Sequence, residues 1–307
     1  MTKTLVLLNP HAAGGKAAAL IEPMRQWLAQ NAPQVSLQMP HSAANARLLL
    51  DALPQASRVV MVGGDGTFNQ LLPSLLRGGH TAALVPFGSG NDTARALGLY
   101  GLSWEKALTH GLNGVATNVD IGLAEFEVDE SGHPKVCSAP FISSLTTGFD
   151  SSVGLRAING PKWLRGLPRY LLATVRELVN FRTWRMDVSV DGEHVHSGRT
   201  LFASTLNTRT FGAGMPAVPH ARIDDGRLNV LLAGDLNLLQ TLLLLPRLLV
   251  GKHLSHPKVR TQPFQTLQIQ AAKPVPIAAD GEYVGLSQQI TIRIQAGRLA
   301  VVAATNL

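Results

Sequence analysis

Three short stretches of this sequence combine glycine with polar side chains, an amide in each and a hydroxyl and a carboxylate in two of them, at spacings that could hold phosphate. The central one is Gly63-Gly64-Asp65-Gly66-Thr67-Phe68-Asn69. Glycine lets backbone approach a ligand closely and take up positive φ. Successive N–H groups in such a turn, backed by a helix N-terminus, form an anion cradle. Asp65 is placed to hold a cation or to orient a phosphate-bound water. The other two stretches are Asn9-Pro10-His11-Ala12-Ala13-Gly14-Gly15-Lys16 and Gly88-Ser89-Gly90-Asn91-Asp92.

Each stretch follows an apolar run that reads as a buried strand: Thr4 to Leu8, Val59 to Val62 and Ala82 to Pro86. Helical patterns follow, roughly Ala17 to Gln30 after the first turn and Thr93 to Leu97 after the third. In the latter, Asp92 is a natural N-cap and Gly98 a natural stop. Val35 to Met39 reads as a short strand and Asn45 to Leu53 as a helix. Alternating strand and helix predicts an α/β domain with a parallel sheet. Ligands of such sheets bind outside the carboxyl ends of the strands, where all three turns lie. No Gly-x-x-x-x-Gly-Lys-Ser/Thr run is present, which excludes a P-loop enzyme. No turn matches Gly-x-Gly-x-x-Gly, which argues against a dinucleotide dehydrogenase.

The 307 residues suit two domains, and 45% hydrophobic with 15% charged residues suits a packed core. A net charge of +7 favours an anionic partner: nucleic acid, an acidic membrane surface or a phosphorylated substrate. The lone Cys137 permits no internal disulfide. Leu5 to Leu8 is too short for a signal-peptide core. The longest apolar stretch, Leu236 to Val250, is interrupted by Asn237, Gln240, Pro246 and Arg247, so no spanning helix is expected.

Beyond Gly122 the texture changes to short β-like runs separated by turns: 141–145, 186–190, 200–205, 228–232, 266–270, 289–294 and 299–302. The expected division is a nucleotide-binding α/β domain over 1–122 and a β-rich, sandwich-like substrate domain over 123–307, with the last strands free to return to the first domain. A helix to about Phe181 separates two of these runs. It follows Lys162, Trp163, Arg165, Arg169 and Tyr170, and carries Arg176 and an apolar stripe of Leu171, Val175 and Leu178. Arg182, Trp184 and Arg185 come next. It reads either as a solvated basic face or as a patch whose arginines meet anionic headgroups while Trp163, Tyr170 and Trp184 sit at the interface.

Asn9-Pro10, Gly63-Gly64-Asp65-Gly66-Thr67-x-Asn69 and Pro86-x-Gly88-Ser89-x-Asn91-Asp92-x-Ala94-Arg95 resemble, in order and spacing, the three nucleotide-site motifs of the diacylglycerol kinase catalytic-domain family. The resemblance continues through Gly148-Phe149-Asp150, through Asn207-x-Arg209-x-Phe211-Gly212-Ala213-Gly214-Met215 with Pro219-x-Ala221, and through Asp224-Asp225-Gly226 and Asp280-Gly281-Glu282. A second Asp-Gly-Glu, Asp191 to Glu193, reads as an ordinary hairpin turn.

The resemblance implies an ATP-dependent kinase that phosphorylates a lipid hydroxyl, of diacylglycerol or a sphingoid-like base, with its active site in an interdomain cleft. It implies ATP contacts from Asn9, Gly63, Gly64, Asp65, Gly66, Thr67, Asn69, Gly88, Ser89, Asn91 and Asp92. Asp65 serves the nucleotide's Mg²⁺. Glu282 is the general base, with Asp280 beside it. A structural Mg²⁺ uses the Asp225 carboxylate with the carbonyls of Arg222 and Arg227, oxygen ligands that suit a hard cation. The implied setting is cytoplasmic, peripheral to the inner face of an anionic membrane, with no nucleic acid; nothing in the sequence fixes the oligomeric state.

The chain departs from the family pattern at Gln70 (usually Glu), Pro40 (often Thr), Ser89 (Thr), Ala12-Ala13, Ala213 and His220. Pro73 is expected to interrupt the helix after the central turn. Alternatives are a nucleotide- or lipid-binding protein of this fold with weak or lost catalysis, a soluble-substrate kinase of the NAD-kinase type, and a basic nucleic-acid binder, for which no motif is present.

Overall fold

The computed structural model describes residues 3–130, 133–161, 163–164 and 166–304. The chain divides into two compact units, 1–119 with 297–307, and 120–296.

The first unit is built on parallel strands. β1 (Thr4–Leu8) lies between β2 (Ser36–Gln38) and β3 (Arg58–Gly63), and β3 pairs with β4 (Thr81–Pro86). The end of a long last strand pairs in parallel with β4 at Val301–Ala82. The middle strands are apolar on both faces because helices cover them. Val6, Leu8, Val60, Val62, Ala83 and Val85 pack with Met24 and Leu28 of α1 (Ile21–Asn31), Ala107 and Leu108 of α5 (Trp104–Asn113), and Val302. Gly111 lets α5 lie close on the sheet; a Cβ there would sit 3.2 Å from both Val60 and Ala83.

α2 (Ala43–Asp51) and α3 (Asp65–Gly78) pack together. Three local expectations are corrected. The helix expected from Ala17 begins instead as a 3₁₀ segment over Ala12–Leu20, and α1 starts at Ile21. Ala13, Gly14 and Gly15 all have positive φ there, so the chain curls tightly before it can become α-helical. Pro73 does not interrupt α3. The helix loses one backbone bond at that residue but buries Phe68, Leu71, Leu72, Ser74 and Leu75 along one face. Asp92 is not the cap of α4 (Asp92–Ala96); the N-cap is Asn91, in a left-handed conformation.

The second unit is mostly antiparallel. β5 (Ala116–Glu130) pairs with β6 (His133–Phe141), and β8 (Trp184–Val190) with β9 (Glu193–Thr200). A path runs from β12 (Val259–Phe264) through β11 (Leu228–Ala233), β10 (Phe202–Leu206) and β7 (Ser144–Thr147) to β13 (Thr266–Ala279). β13 changes partner along its length. Residues 267–271 pair with β8 and residues 277–279 with β7, with a register shift between Gln270 and Val275. One strand thus contributes to both layers, which share a core containing Phe141, Met186, Leu228, Phe264, Ile277 and Ile292. β14 (Glu282–Val302) is a single strand where two runs were expected. Two helices, α6 (Phe149–Ile158) and α8 (Leu238–Leu249), carry no α-helical expectation above, while α7 (Leu167–Val179) is where a helix is expected.

Candidate active site

In the first unit the three turns are tied to one another by specific bonds. Asn9 Nδ2 donates to Thr67 Oγ1 at 2.9 Å, joining the turn after β1 to the first turn of α3. Asn9 Oδ1 accepts from the His11 N–H at 3.0 Å. Gly64 and Gly88 touch: a Cβ on Gly88 would lie 2.5 Å from Gly64 Cα and 2.6 Å from Asn91 Oδ1. Neither turn can accept a side chain at that point. Gly63 is likewise confined, since its Cβ would lie 2.5 Å from Thr67 Oγ1. Asn91 is held in its left-handed conformation by its own turn, accepting from Gly88 N–H at 3.0 Å and donating to Gly88 C=O at 2.9 Å.

Asp65, expected to serve a cation, has both carboxylate oxygens already accepting backbone N–H groups. Oδ2 accepts from Asp92 N–H at 3.1 Å and Oδ1 from Thr93 N–H at 2.9 Å. It supplies the cap that α4 lacks locally, from 27 residues earlier in the chain. The carboxylate therefore positions the third turn against the second. Gly66, Thr67 and Asn69 occupy the first turns of α3. Ser89 is exposed.

Gly88→Ala is expected to force the two turns apart, costing about 1–3 kcal/mol as an overpacked contact does. Affinity for ATP, read by titration calorimetry, should fall at least about tenfold. Unchanged affinity would separate these turns from nucleotide binding.

In the second unit, Asp280 and Glu282 are two residues apart but do different things. Asp280 and Gly281 (φ 47° and 86°) form the two-residue turn between β13 and β14, with Ala279 opposite Glu282. The Asp280 carboxylate accepts the backbone N–H groups of Ile142, Ser143 and Ser144, at 3.0, 2.7 and 3.0 Å. It pins the approach to β7. Glu282 is half-buried, and its carboxylate has no hydrogen-bond or ion-pair partner among the described residues. Burial pushes its pKa up. A free, desolvated carboxylate can take a proton; one that already accepts three backbone donors is committed to structure.

Beside this turn is a cavity of about 510 Å³, lined by Leu155, Trp184, Pro274, Pro276, Tyr283 and Leu286 among others. Its polar wall is the 2.7 Å ion pair of Arg156 with the buried Glu177, with Arg182 stacked 5.2 Å over the Trp184 ring. These residues are spread from 152 to 286, so no local pattern could have announced them. Nearby in sequence, Asp150 accepts from Ser204 Oγ at 3.0 Å, and burial raises its pKa to about 7.

Asp225 is exposed. One oxygen accepts from the Arg227 N–H at 3.1 Å, and the carboxylate interacts electrostatically with the Arg222 guanidinium. The Arg222 guanidinium pairs with Asp224 at 3.2 Å. No cluster of three or more His, Cys, Asp or Glu able to hold a metal occurs among the described residues, so any cation here would rely on the Asp225 oxygen and backbone carbonyls.

Residues 3–124 match the diacylglycerol kinase catalytic domain, and residues 143–303 match the YegS C-terminal NAD kinase beta sandwich-like domain. A diacylglycerol kinase of Mycobacterium tuberculosis is 30% identical over 284 residues, 92% of this chain and 89% of its own. The chain belongs to the diacylglycerol kinase family. A diacylglycerol kinase of Bacillus subtilis is 25% identical over 237 residues, covering 76% of this chain and 74% of its own. Among solved structures, a diacylglycerol kinase of Bacillus anthracis superposes with TM-score 0.69 at 16% identity, over 98% of this chain and 96% of its own. Yeast NADH kinase in complex with NADH superposes with TM-score 0.55 at 11% identity, over 99% and 84%. These two likenesses speak to fold: an α/β unit joined to a β-rich one, as the sequence implies.

The basic patch before and along α7 is thinner than expected. Arg169 is half-buried and donates to the Ile158 and Gly160 carbonyls at 3.0 and 3.1 Å. Trp184 and Leu178 are buried, and Tyr170 packs against the core. Lys162 and Arg165 lie outside the described residues. Trp163, Leu171, Val175, Arg176, Arg182 and Arg185 remain exposed.

Proposed function

We propose that this kinase transfers the γ-phosphate of ATP to a lipid hydroxyl, of diacylglycerol or a sphingoid-like alcohol. The first unit would hold ATP through Asn9, Gly63, Gly64, Gly66, Thr67, Asn69, Gly88, Ser89, Asn91 and Asp92, with Asp65 setting the third turn. When bound, Mg²⁺ would neutralise charge on the transferring phosphate. A second Mg²⁺ at the Asp225 carboxylate, with the carbonyls of Arg222 and Arg227, would hold the Asp224-Asp225-Gly226 turn in place. In the second unit, Glu282 would take the hydroxyl proton and the cavity beside Tyr283 would hold the apolar chain. No helix among the described residues is long and apolar enough to cross a membrane, so the lipid would be met at the inner face of an anionic membrane.

The observation that carries this reading is the pairing of an unpartnered, desolvated carboxylate with an apolar cavity on the same hairpin. Radiolabelled ATP with a panel of lipid alcohols in detergent micelles tests it. We expect label in the lipid fraction. ATP binding without transfer to any lipid would favour a binding protein that has lost catalysis.

A further inference from the structure

We infer that α8 is a membrane-docking element that lays its leucine face into the headgroup region of an anionic bilayer. Helix α8 begins with a capping box, in which Asn237 and Gln240 satisfy each other's backbone N–H, so it starts at a fixed point. Only Thr241 and Leu244 are buried along it. Leu238, Leu239, Leu242, Leu243, Leu249 and Val250 are 37–66% exposed. Single exposed leucines are ordinary, but a contiguous stripe is not.

The charge around the stripe says what covers it. Arg247, Lys252 and Lys258 lie on or beside the helix, with Lys258 Nζ donating to Gln240 Oε1 and to the Asp235 carbonyl, while Asp235, exposed just before the helix, is ion-paired with Arg199 at 3.4 Å. Arg247 and Lys252 are exposed, one within the last turn and one just past it, and neither side chain has a protein partner among the described residues. An apolar face whose unpaired flanking charges, Arg247 and Lys252, are basic complements an anionic leaflet, and a 12-residue helix can lie in an interface but not span it. A protein partner would be expected to meet a rim of mixed sign. The inference rests on the lipid-kinase reading for its purpose, since it would deliver the enzyme to its substrate.

The test uses the full chain without ATP or substrate lipid. Co-sedimentation is measured with phosphatidylcholine vesicles and with vesicles that also contain phosphatidylglycerol, at low and high salt. We expect binding only to the anionic vesicles, weakened by salt. Replacing Arg247 and Lys252 with Gln should reduce partitioning roughly fivefold per cation. Leu239→Gln with Leu243→Gln should abolish it, with an unchanged melting temperature because both side chains are exposed. The same variants should retain normal transfer to a short-chain, monomeric lipid alcohol; that arm fails for every variant and the parent alike if the kinase reading is wrong, without touching the vesicle result. Vesicle binding that survives the α8 substitutions, or is lost only on Arg176→Gln, would overturn the inference. A leucine variant that shifts a dimer to monomer in sedimentation velocity while vesicle binding persists would assign the face to a second copy of this chain.

Discussion

Glu282→Gln should lower kcat by at least about 10²-fold while leaving ATP affinity little changed. A positioned base typically contributes 10²–10⁴-fold to proton removal in the transition state. Gln keeps the shape and loses the proton acceptor. Asp280→Asn separates the two carboxylates. Its side chain accepts from three backbone donors, so it should damage stability, by about 1–3 kcal/mol, more than chemistry. If Asp280→Asn is inactive at full stability while Glu282→Gln is active, the base is Asp280.

The pH dependence carries the same signature. Burial raises the Glu282 pKa, so the acid limb of the kcat profile should lie above the ordinary carboxylate range and vanish in Glu282→Gln. The stability sign is opposite. A folded-state pKa raised above the unfolded one stabilises the fold below the unfolded pKa, and that stabilisation is lost as pH rises through the folded value. At neutral pH the ionised group opposes folding, so Glu282→Gln should melt no lower than the parent protein. A lower melting temperature would mean that Glu282 has a structural partner when ionised.

Asp65→Ala should nearly abolish transfer and also destabilise the first unit. Removing the carboxylate strips α4 of two acceptors for its N-terminal N–H groups. Leaving buried donors unsatisfied costs about 1–3 kcal/mol, and Asp92 and Thr93 are buried. Phosphate transfer at saturating ATP and Mg²⁺, with melting temperature measured alongside, separates the two effects. Normal turnover in a destabilised protein would make Asp65 a helix cap and nothing more. Lost turnover with stability restored by high ATP would keep it in the nucleotide site.

What could be read from the sequence was what local chemistry encodes. β1, β3 and β4 were legible because their apolar residues run unbroken, and the turns because glycine and asparagine mark the positions that need unusual backbone. The bond network of Asp65 was not legible, since its partners are at Asp92 and Thr93. The two Asp-Gly-Glu tripeptides show the limit most clearly. Both form two-residue hairpin turns with positive φ at Asp and Gly, and both Asp carboxylates accept backbone N–H groups from another segment. Only tertiary packing distinguishes them: Glu193 is exposed, while Glu282 is half-buried and desolvated. Helix α8 was misleading in the other direction, because an apolar run says nothing about which of its faces the fold will leave uncovered.

The last strand has a consequence for how the protein is made. Residues from Gly297 onward belong to the first unit, where Val301 pairs with Ala82 and Val302 joins the core. A chain emerging from the ribosome can form β1 to β4 early, but their sheet keeps an open edge at β4 until the residues after Gly297 have been synthesised. Domains usually fold in order as they emerge; here the first unit cannot be completed until the whole second unit has been made. An unpaired parallel edge invites association in the meantime. Nascent chains stalled before Gly297 should therefore be more protease-sensitive in the first unit than chains extended past Val302, and removing Gly297 to Val302 should destabilise β1 to β4, far away in sequence.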